Sequence, residues 1–353
     1  MAPDEIQFRI LGNRFRVRSS FEVLPLRFVY TVCFQSIKLI GVRSVYGFGR
    51  PGALGWFRMK NALTFDLEDY MHVSAFADHM PAAEWNDRVS RLEHNTDKLL
   101  EMLDSSRCSA TFFVLGWVAQ KYPQVIQRIA SLGHEIACHS MWHRLVSDLT
   151  PAEFRADTQE AKTLLEDLSS QQVRGYRAPS FSITKKSWWA FEILRDLGFT
   201  YDSSIFPVKH PNYGAVEASR FPFVVRTEAG NLVEFPLPTL QVGEKRAPFG
   251  GGAYFRILPY AYTRWGIKHI NDRETRPVCV YLHPWEIDGD QPRMKGRLTS
   301  RLRHYMGLRG TESKLRNLLR DFQFVPLEVL VEEWLARENS ALPTSEVALP
   351  VGD

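Results

Sequence analysis

At 353 residues the chain can bury one barrel-sized domain with extensions, or two smaller domains, and its 44% hydrophobic, 24% charged and 12% aromatic make-up is that of an ordinary soluble globule. The net charge of +4 belongs to the N-terminal stretch: residues 1–58 hold nine Arg/Lys against three Asp/Glu, and the rest of the chain holds 35 against 37. The main body therefore lacks the basic footprint of a nucleic-acid-binding protein.

The four cysteines, Cys33, Cys108, Cys138 and Cys279, form no CxxC pair and suggest no disulfide framework, so a reducing compartment is expected. Residues 21–42 are moderately apolar, but Arg27 and Lys38 interrupt them, which leaves too short a run for a membrane span. A secretory layout of basic start, apolar core and small-residue cleavage site is missing, and the expected location is the cytoplasm. Three readings of residues 1–58 remain: a basic interfacial segment, a poorly ordered extension, or a stretch upstream of the native start. Met59 stands directly before the first strand, which favours a disordered extension or one foreign to the native protein. The body is expected over residues 59–290, a C-terminal extension packed on it over 291–338, and a flexible tail over 339–353.

Residues 61–65 read as a strand that runs into Asp66, Glu68 and Asp69, carboxylates that are costly to bury unless paired or bound to metal. Residues 89–103 have helical periodicity, with Leu92, Leu99, Leu100 and Leu103 on one face. A second strand covers 109–115, and a helix over 118–132 is closed by Gly133. The apolar run 134–138 is a third strand and leads to His139-Ser140-Met141-Trp142-His143. Two histidines four apart fall on one face of a helical turn, where both imidazoles reach one metal ion. Thr150, Pro151 and Glu153 supply a cap, a proline and a capping-box acid for a helix to about residue 168.

Residues 173–179 are strand into loop and carry Arg177 and Pro179. A helix over 186–197 stops at Gly198, and 201–204 and 232–236 are strand-like. Gly250-Gly251-Gly252, followed by Tyr254, reads as a flexible loop or lid where backbone can approach a ligand. A helix over 259–270 precedes a last strand, 278–282, which ends at His283, Pro284, Trp285 and Glu286. Terminal helices are expected over 313–319 and 327–336.

Strands alternating with helices indicate a parallel sheet, and about seven such units favour a closed or nearly closed barrel. Neither a GxGxxG nor a Walker loop opens a helix, so a nucleotide fold has no support. In a barrel, Asp66 and Glu68, the His139–His143 pair, Arg177 and His283 converge at the C-terminal face of the strands. Two histidines and a carboxylate leave open positions on a divalent ion, a second carboxylate can act as base, and a histidine opposite can protonate a leaving amine. Residues two apart in a strand share a face, so Glu68 points with Asp66 and is the favoured third ligand, with Asp69 as the alternative.

Thr64-Phe65-Asp66, His139-Ser140-Met141-Trp142-His143, Arg177-Ala178-Pro179 and Leu282-His283-Pro284 together resemble, in order, the motifs of the NodB-type polysaccharide deacetylases, carbohydrate esterase family 4. The likeness spans roughly residues 61–290. Finer features around Asp66, Gly175 and Tyr281 look like the subgroup encoded with exopolysaccharide and PEP-CTERM loci, which carries a C-terminal extension. The resemblance implies a distorted (β/α)7 barrel of the NodB-homology type with a helical C-terminal extension. It implies metal-dependent removal of N-acetyl groups, zinc being the expected ion. Asp66 is then the base, His283 the acid and Arg177 the group that orients the base, while Glu68 or Asp69, His139 and His143 are the metal ligands. The family's first motif has adjacent aspartates, and here Leu67 follows Asp66.

Trp142, Pro179, Tyr254 and Trp285 are the expected substrate contacts. The expected partner is an N-acetylated glycan or a lipid-linked oligosaccharide precursor in exopolysaccharide synthesis, the latter placing the protein at the inner membrane face. Two rival readings are a metal-independent, allantoinase-like amidase on the same barrel and a non-catalytic glycan-binding subunit.

Overall fold

The structure, a computed structural model, describes residues 5–10, 13–18, 59–210 and 213–340. β1 (Glu5–Ile10) and β2 (Asn13–Arg18) pair antiparallel, Phe8 opposite Phe15. They belong to a unit separate from the body, which begins at Phe57. The expected character of the rest of residues 1–58, and of 341–353 in the tail, lies outside the described residues.

In the body the strands are β3 (Lys60–Leu67), β4 (Thr111–Val114), β5 (Glu135–Cys138), β6 (Gly175–Tyr176), β7 (Tyr201–Asp202), β8 (Phe223–Thr227), β9 (Gly230–Glu234), the hairpin β10 (Thr239–Val242) and β11 (Lys245–Pro248), β12 (Cys279–Leu282) and β13 (Gln323–Val325). Their helices are α1 (Leu92–Ser105), α2 (Gly116–Lys121), α3 (Pro123–Ser131), α4 (Pro151–Ser169), α5 (Trp189–Asp196), α6 (Gly252–Ile257), α7 (Tyr260–His269), α8 (Leu298–Tyr305), α9 (Leu308–Asp321) and α10 (Leu327–Ser340). The strand order β12-β3-β4-β5-β6-β7-β9 is parallel throughout; β8 adds antiparallel to β9, and β13 lies along the start of β3.

Parallel strands covered on both faces read as continuous apolar runs, and alternation assigns the faces. Leu63, Phe65 and Leu67 pack outward in one cluster with Leu92, Leu99 and Leu103 of α1. Ala62 faces the other way, with Phe113, Ala137, Tyr201 and Cys279, onto Leu327, Leu330 and Val331 of α10. The first turn of α10 is pinned where β4 and β5 begin: Leu327 N donates to Thr111 Oγ1 (2.7 Å) and Glu328 N to Glu135 Oε2 (3.1 Å). The terminal helix thus closes the N-terminal end of the sheet, and the other end carries Asp66 and its partners.

Strand pairing does not close the sheet between β9 and β12. Gly250 and Gly251 lie along that side of β12: Tyr281 N donates to Gly250 O (3.0 Å), and a Cβ on Gly251 would fall 2.2 Å from Tyr281 O. The expected flexible loop is therefore a fixed backbone bridge that opens α6.

The helix expected over 118–132 is two helices, because Pro123 has no N–H to give and Tyr122 leaves helical geometry at φ −129. The helix expected over 186–197 is likewise shortened, to a 3-10 turn at Lys185–Ser187 and α5.

Candidate active site

β3 carries Asp66 to its C-terminal end with the carboxylate on the inner face. Glu68 N turns back onto Asp66 O at 2.9 Å, which keeps the Glu68 side chain on the same side. Both residues are buried. Asp69 is used otherwise. It caps the Tyr70–His72 turn, accepting from Tyr70 N (2.8 Å), Ser90 Oγ (2.8 Å) and Arg91 N (2.7 Å). With its carboxylate occupied there, Asp69 does not join the histidines.

The two histidines are not on a helical turn, contrary to the spacing argument. Ser140 and His143 take left-handed backbone, φ 64 and 54, in an irregular loop held by Met141 N on Asp157 Oδ2 (2.7 Å). The loop brings both rings together all the same, 5.3 Å apart. His139 Nδ1 lies 2.7 Å from Arg177 O; a carbonyl only accepts, so Nδ1 carries the proton and Nε2 keeps its lone pair. Burial pushes His139 down to about 4, so the ring is neutral. His143 Nδ1 lies 3.5 Å from Ser74 Oγ, itself 2.8 Å from Ser180 Oγ.

Among the described residues, Glu68, His139 and His143 are the group able to hold a metal ion, with ligand atoms within 4.8 Å of one another. The fit is supported by an orphaned atom: Glu68 Oε2 is buried with no aligned hydrogen-bond donor, although His143 Nε2 is 2.8 Å away. Burial alone would raise the Glu68 carboxyl, but the close approach of the His143 and His283 rings outweighs it and holds the group well below the carboxylate range. Two imidazoles and one carboxylate match an open catalytic site for a divalent ion.

Arg177, fully buried, binds Asp66 Oδ1 through Nη1 at 2.7 Å and is itself fixed by Thr64 Oγ1, Ser203 O and Ser203 Oγ. Its guanidinium lies 4.0 Å from the centroid of the Phe113 ring. Facing this pair, His283 Nε2 is 3.7 Å from Asp66 Oδ2 and 3.3 Å from Glu68 Oε1. Burial would lower His283, but the Glu286 hydrogen bond and charge, with Glu68 and Asp66, push it up to about 9.

Two residues of this site lie beyond what local sequence patterns assign. Glu286 faces both His283 N (3.0 Å) and His283 Nδ1 (3.2 Å) through Oε2. Its position three residues after His283 is a capping-box spacing, the one local signal available. Arg256 binds Glu286 Oε1 through Nε at 2.6 Å and has no such signal, because α6 meets Glu286 only in the folded chain.

The expected substrate contacts separate into different settings. Trp142 is 37% exposed and, with Trp117, Asn86, Gln120 and Lys121, lines a pocket of about 450 Å³. Pro179 is buried and starts the Pro179–Phe181 turn. Tyr254 is half-buried, 6.5 Å from the Phe206 ring. Trp285 is 4% exposed and stacks between His283 (5.0 Å) and His304 (4.4 Å), so it backs the His283 ring and offers little surface to a sugar.

Residues 62–201 match the family described as polysaccharide deacetylase, and residues 203–332 match one described as domain of unknown function DUF3473. The chain matches the deacetylase family from β3 to β7, the stretch that holds Asp66, Glu68, His139, His143 and Arg177. It is 34% identical over 101 residues to a chitooligosaccharide deacetylase of Rhizobium leguminosarum bv. trifolii, which is 27% of this chain and 46% of that protein. It is 32% identical over 98 residues to a peptidoglycan-N-acetylglucosamine deacetylase of Bacillus cereus, 28% of this chain and 36% of that protein. The alignments therefore span less than half of these relatives. A Mycobacterium smegmatis crystal structure assigned to the polysaccharide deacetylases superposes with a TM-score of 0.53 at 20% identity, over 84% of this chain and 98% of that one. That likeness bears on fold: a mixed α/β, mainly parallel, barrel-like domain.

Proposed function

We propose that this chain is a divalent-metal-dependent polysaccharide deacetylase that hydrolyses the N-acetyl amide of a carbohydrate. The observation that carries the reading is that two groups of opposite use face one another across the candidate ligand cluster. Asp66 is fixed as an acceptor by Arg177 Nη1, and His283 carries a proton, its Nε2 3.7 Å from Asp66 Oδ2.

Glu68, His139 and His143 would hold a divalent ion, with zinc favoured by the two imidazoles, and the ion would supply Lewis acidity toward the amide carbonyl and water. Asp66 accepts the proton of the attacking water, and Arg177 keeps its carboxylate aimed. His283 gives the Nε2 proton to the amide nitrogen as the C–N bond breaks, releasing acetate and the free amine. Glu286, braced by Arg256, holds Nδ1 and so turns Nε2 toward the reacting atoms.

The substrate class is an N-acetylated glycan, as a polymer or as a lipid-linked oligosaccharide in exopolysaccharide synthesis. The subgroup features around the motifs support that role, with the protein on the cytoplasmic side of the membrane. The test is acetate release from N-acetylglucosamine oligomers and lipid-linked precursors, with and without a chelator, and His139→Ala as control. Release that survives complete metal removal, or full activity in His139→Ala, sinks the mechanism.

A further inference from the structure

The C-terminal extension has a surface that the proposed chemistry does not use. α8 buries His304 against Trp285 and turns another face outward. Leu298 is 68% exposed, Leu302 51% and Met306, just past the helix, 38%. Leu298 and Leu302, four apart on the helix, form an apolar stripe, and Met306 follows at the helix end. Arg297 and Arg301, also four apart, flank it, and Arg293, Lys295, Arg303 and Arg309 extend the cationic border; all six are exposed. Residues 291–311 contain no Asp or Glu. Arg309 has only a 3.9 Å approach to Asp290, and Arg293 lies over the Tyr305 ring at 4.2 Å.

We propose that α8 and its flanking residues are a membrane-surface contact that takes anionic phospholipid headgroups on its arginines and seats Leu298, Leu302 and Met306 at the acyl boundary. An exposed apolar stripe bordered by cations is the pattern of an interfacial helix. Charge complementarity selects the occupant. A second copy would set six cations against six, whereas an anionic leaflet neutralises them. A soluble polyanion would match the arginines and leave the stripe in water. No described helix is long and apolar enough to cross a membrane, so the contact lies on the surface.

The surface is rigidly joined to the candidate acid. Arg256 Nη1 donates to the carbonyls of Arg303 (3.1 Å), His304 (2.6 Å) and Met306 (3.1 Å), while Arg256 Nε holds Glu286, the partner of His283. Arg303 reaches back to Tyr213 OH at 3.2 Å. Docking α8 on a leaflet therefore holds the catalytic side of the chain at a fixed position relative to the lipid surface.

The test is co-sedimentation of the full chain with phosphatidylcholine vesicles with and without phosphatidylglycerol. It reads lipid binding alone, so it succeeds or fails independently of deacetylation. The expected result is binding to the anionic vesicles only, weakened by salt. Arg297→Ser and Arg301→Ser each lower partitioning about fivefold, and Leu298→Ser with Leu302→Ser lowers it about tenfold or more. These side chains are exposed, and an unchanged melting temperature shows that the fold is intact. Absence of binding, equal binding to neutral vesicles, or binding unaltered in the leucine variant overturns the proposal. So does a lipid-free dimer that the leucine variant dissolves.

Discussion

Arg256 Nε lies 2.6 Å from Glu286 Oε1, and neither side chain is more than 3% exposed. The carboxylate is thereby committed to charge, held at about 2 because the Arg256 and His283 charges outweigh its burial. Glu286→Gln keeps the shape and removes that charge. His283 should then fall from about 9 toward its ordinary value and lose its proton at lower pH. The expected outcome is a basic limb of the kcat/KM profile moved to lower pH. Urea unfolding should show a loss of about 3–5 kcal/mol, since Arg256 is left as an uncompensated buried charge.

Asp66 and Arg177 are the second buried pair. Asp66→Asn should lower kcat by about 10²–10⁴-fold through loss of the proton acceptor, with little change in glycan binding. Arg177→Met should destabilise the chain by about 3–5 kcal/mol. The double variant should be less destabilised than the sum of the single ones, because each partner strands the other. Strict additivity in a denaturation cycle would show that the pair acts independently.

Metal binding distinguishes the two neighbouring acids. Glu68→Gln should abolish stoichiometric zinc binding in a titration. Asp69→Ala should leave that binding in place and cost about 1 kcal/mol of stability, the usual loss for a cap. Chelation should lower the melting temperature and the activity together, and added zinc should restore both.

Glu135 ties the terminal helix to the sheet. Burial and the Glu328 charge push its carboxyl up to about 7, against the opposing hydrogen bonds from Thr111 and Tyr201. The folded state thus binds this proton more tightly than the unfolded chain. The contribution is complete below about pH 4.5 and is lost as pH rises through about 7. Over that window the loss is about 3 kcal/mol. Glu135→Gln, which cannot ionise, should flatten the difference, as read by urea midpoints from pH 4.5 to 8.

Much of the site was legible locally. The period-2 pattern of residues 61–67 separates Leu63, Phe65 and Leu67 from Asp66, and the same parity turns Glu68 inward. Pro151 with Thr150 and Glu153 announces α4, and both predicted capping-box bonds are present. The His139–His143 spacing points to neighbouring rings through a helical turn, which is not how the chain brings them together. Ser140 and His143 take left-handed backbone in an irregular loop, and periodicity carries no information about such backbone. The break at Pro123 was readable from proline's missing N–H and was overridden by the apolar periodicity on either side.

The sequence by itself determined which residues stand at strand ends and which face of β3 carries the carboxylates, because both follow from alternation along a short stretch. Only the tertiary structure decided that Arg256 meets Glu286 and which atoms of Arg177 reach Asp66, Thr64 and Ser203. It also gave Trp285 to the support of His283 and Asp69 to a turn. Such contacts depend on how the strands and helices pack, and a buried charge finds its partner only once that packing has removed the water that would otherwise serve it.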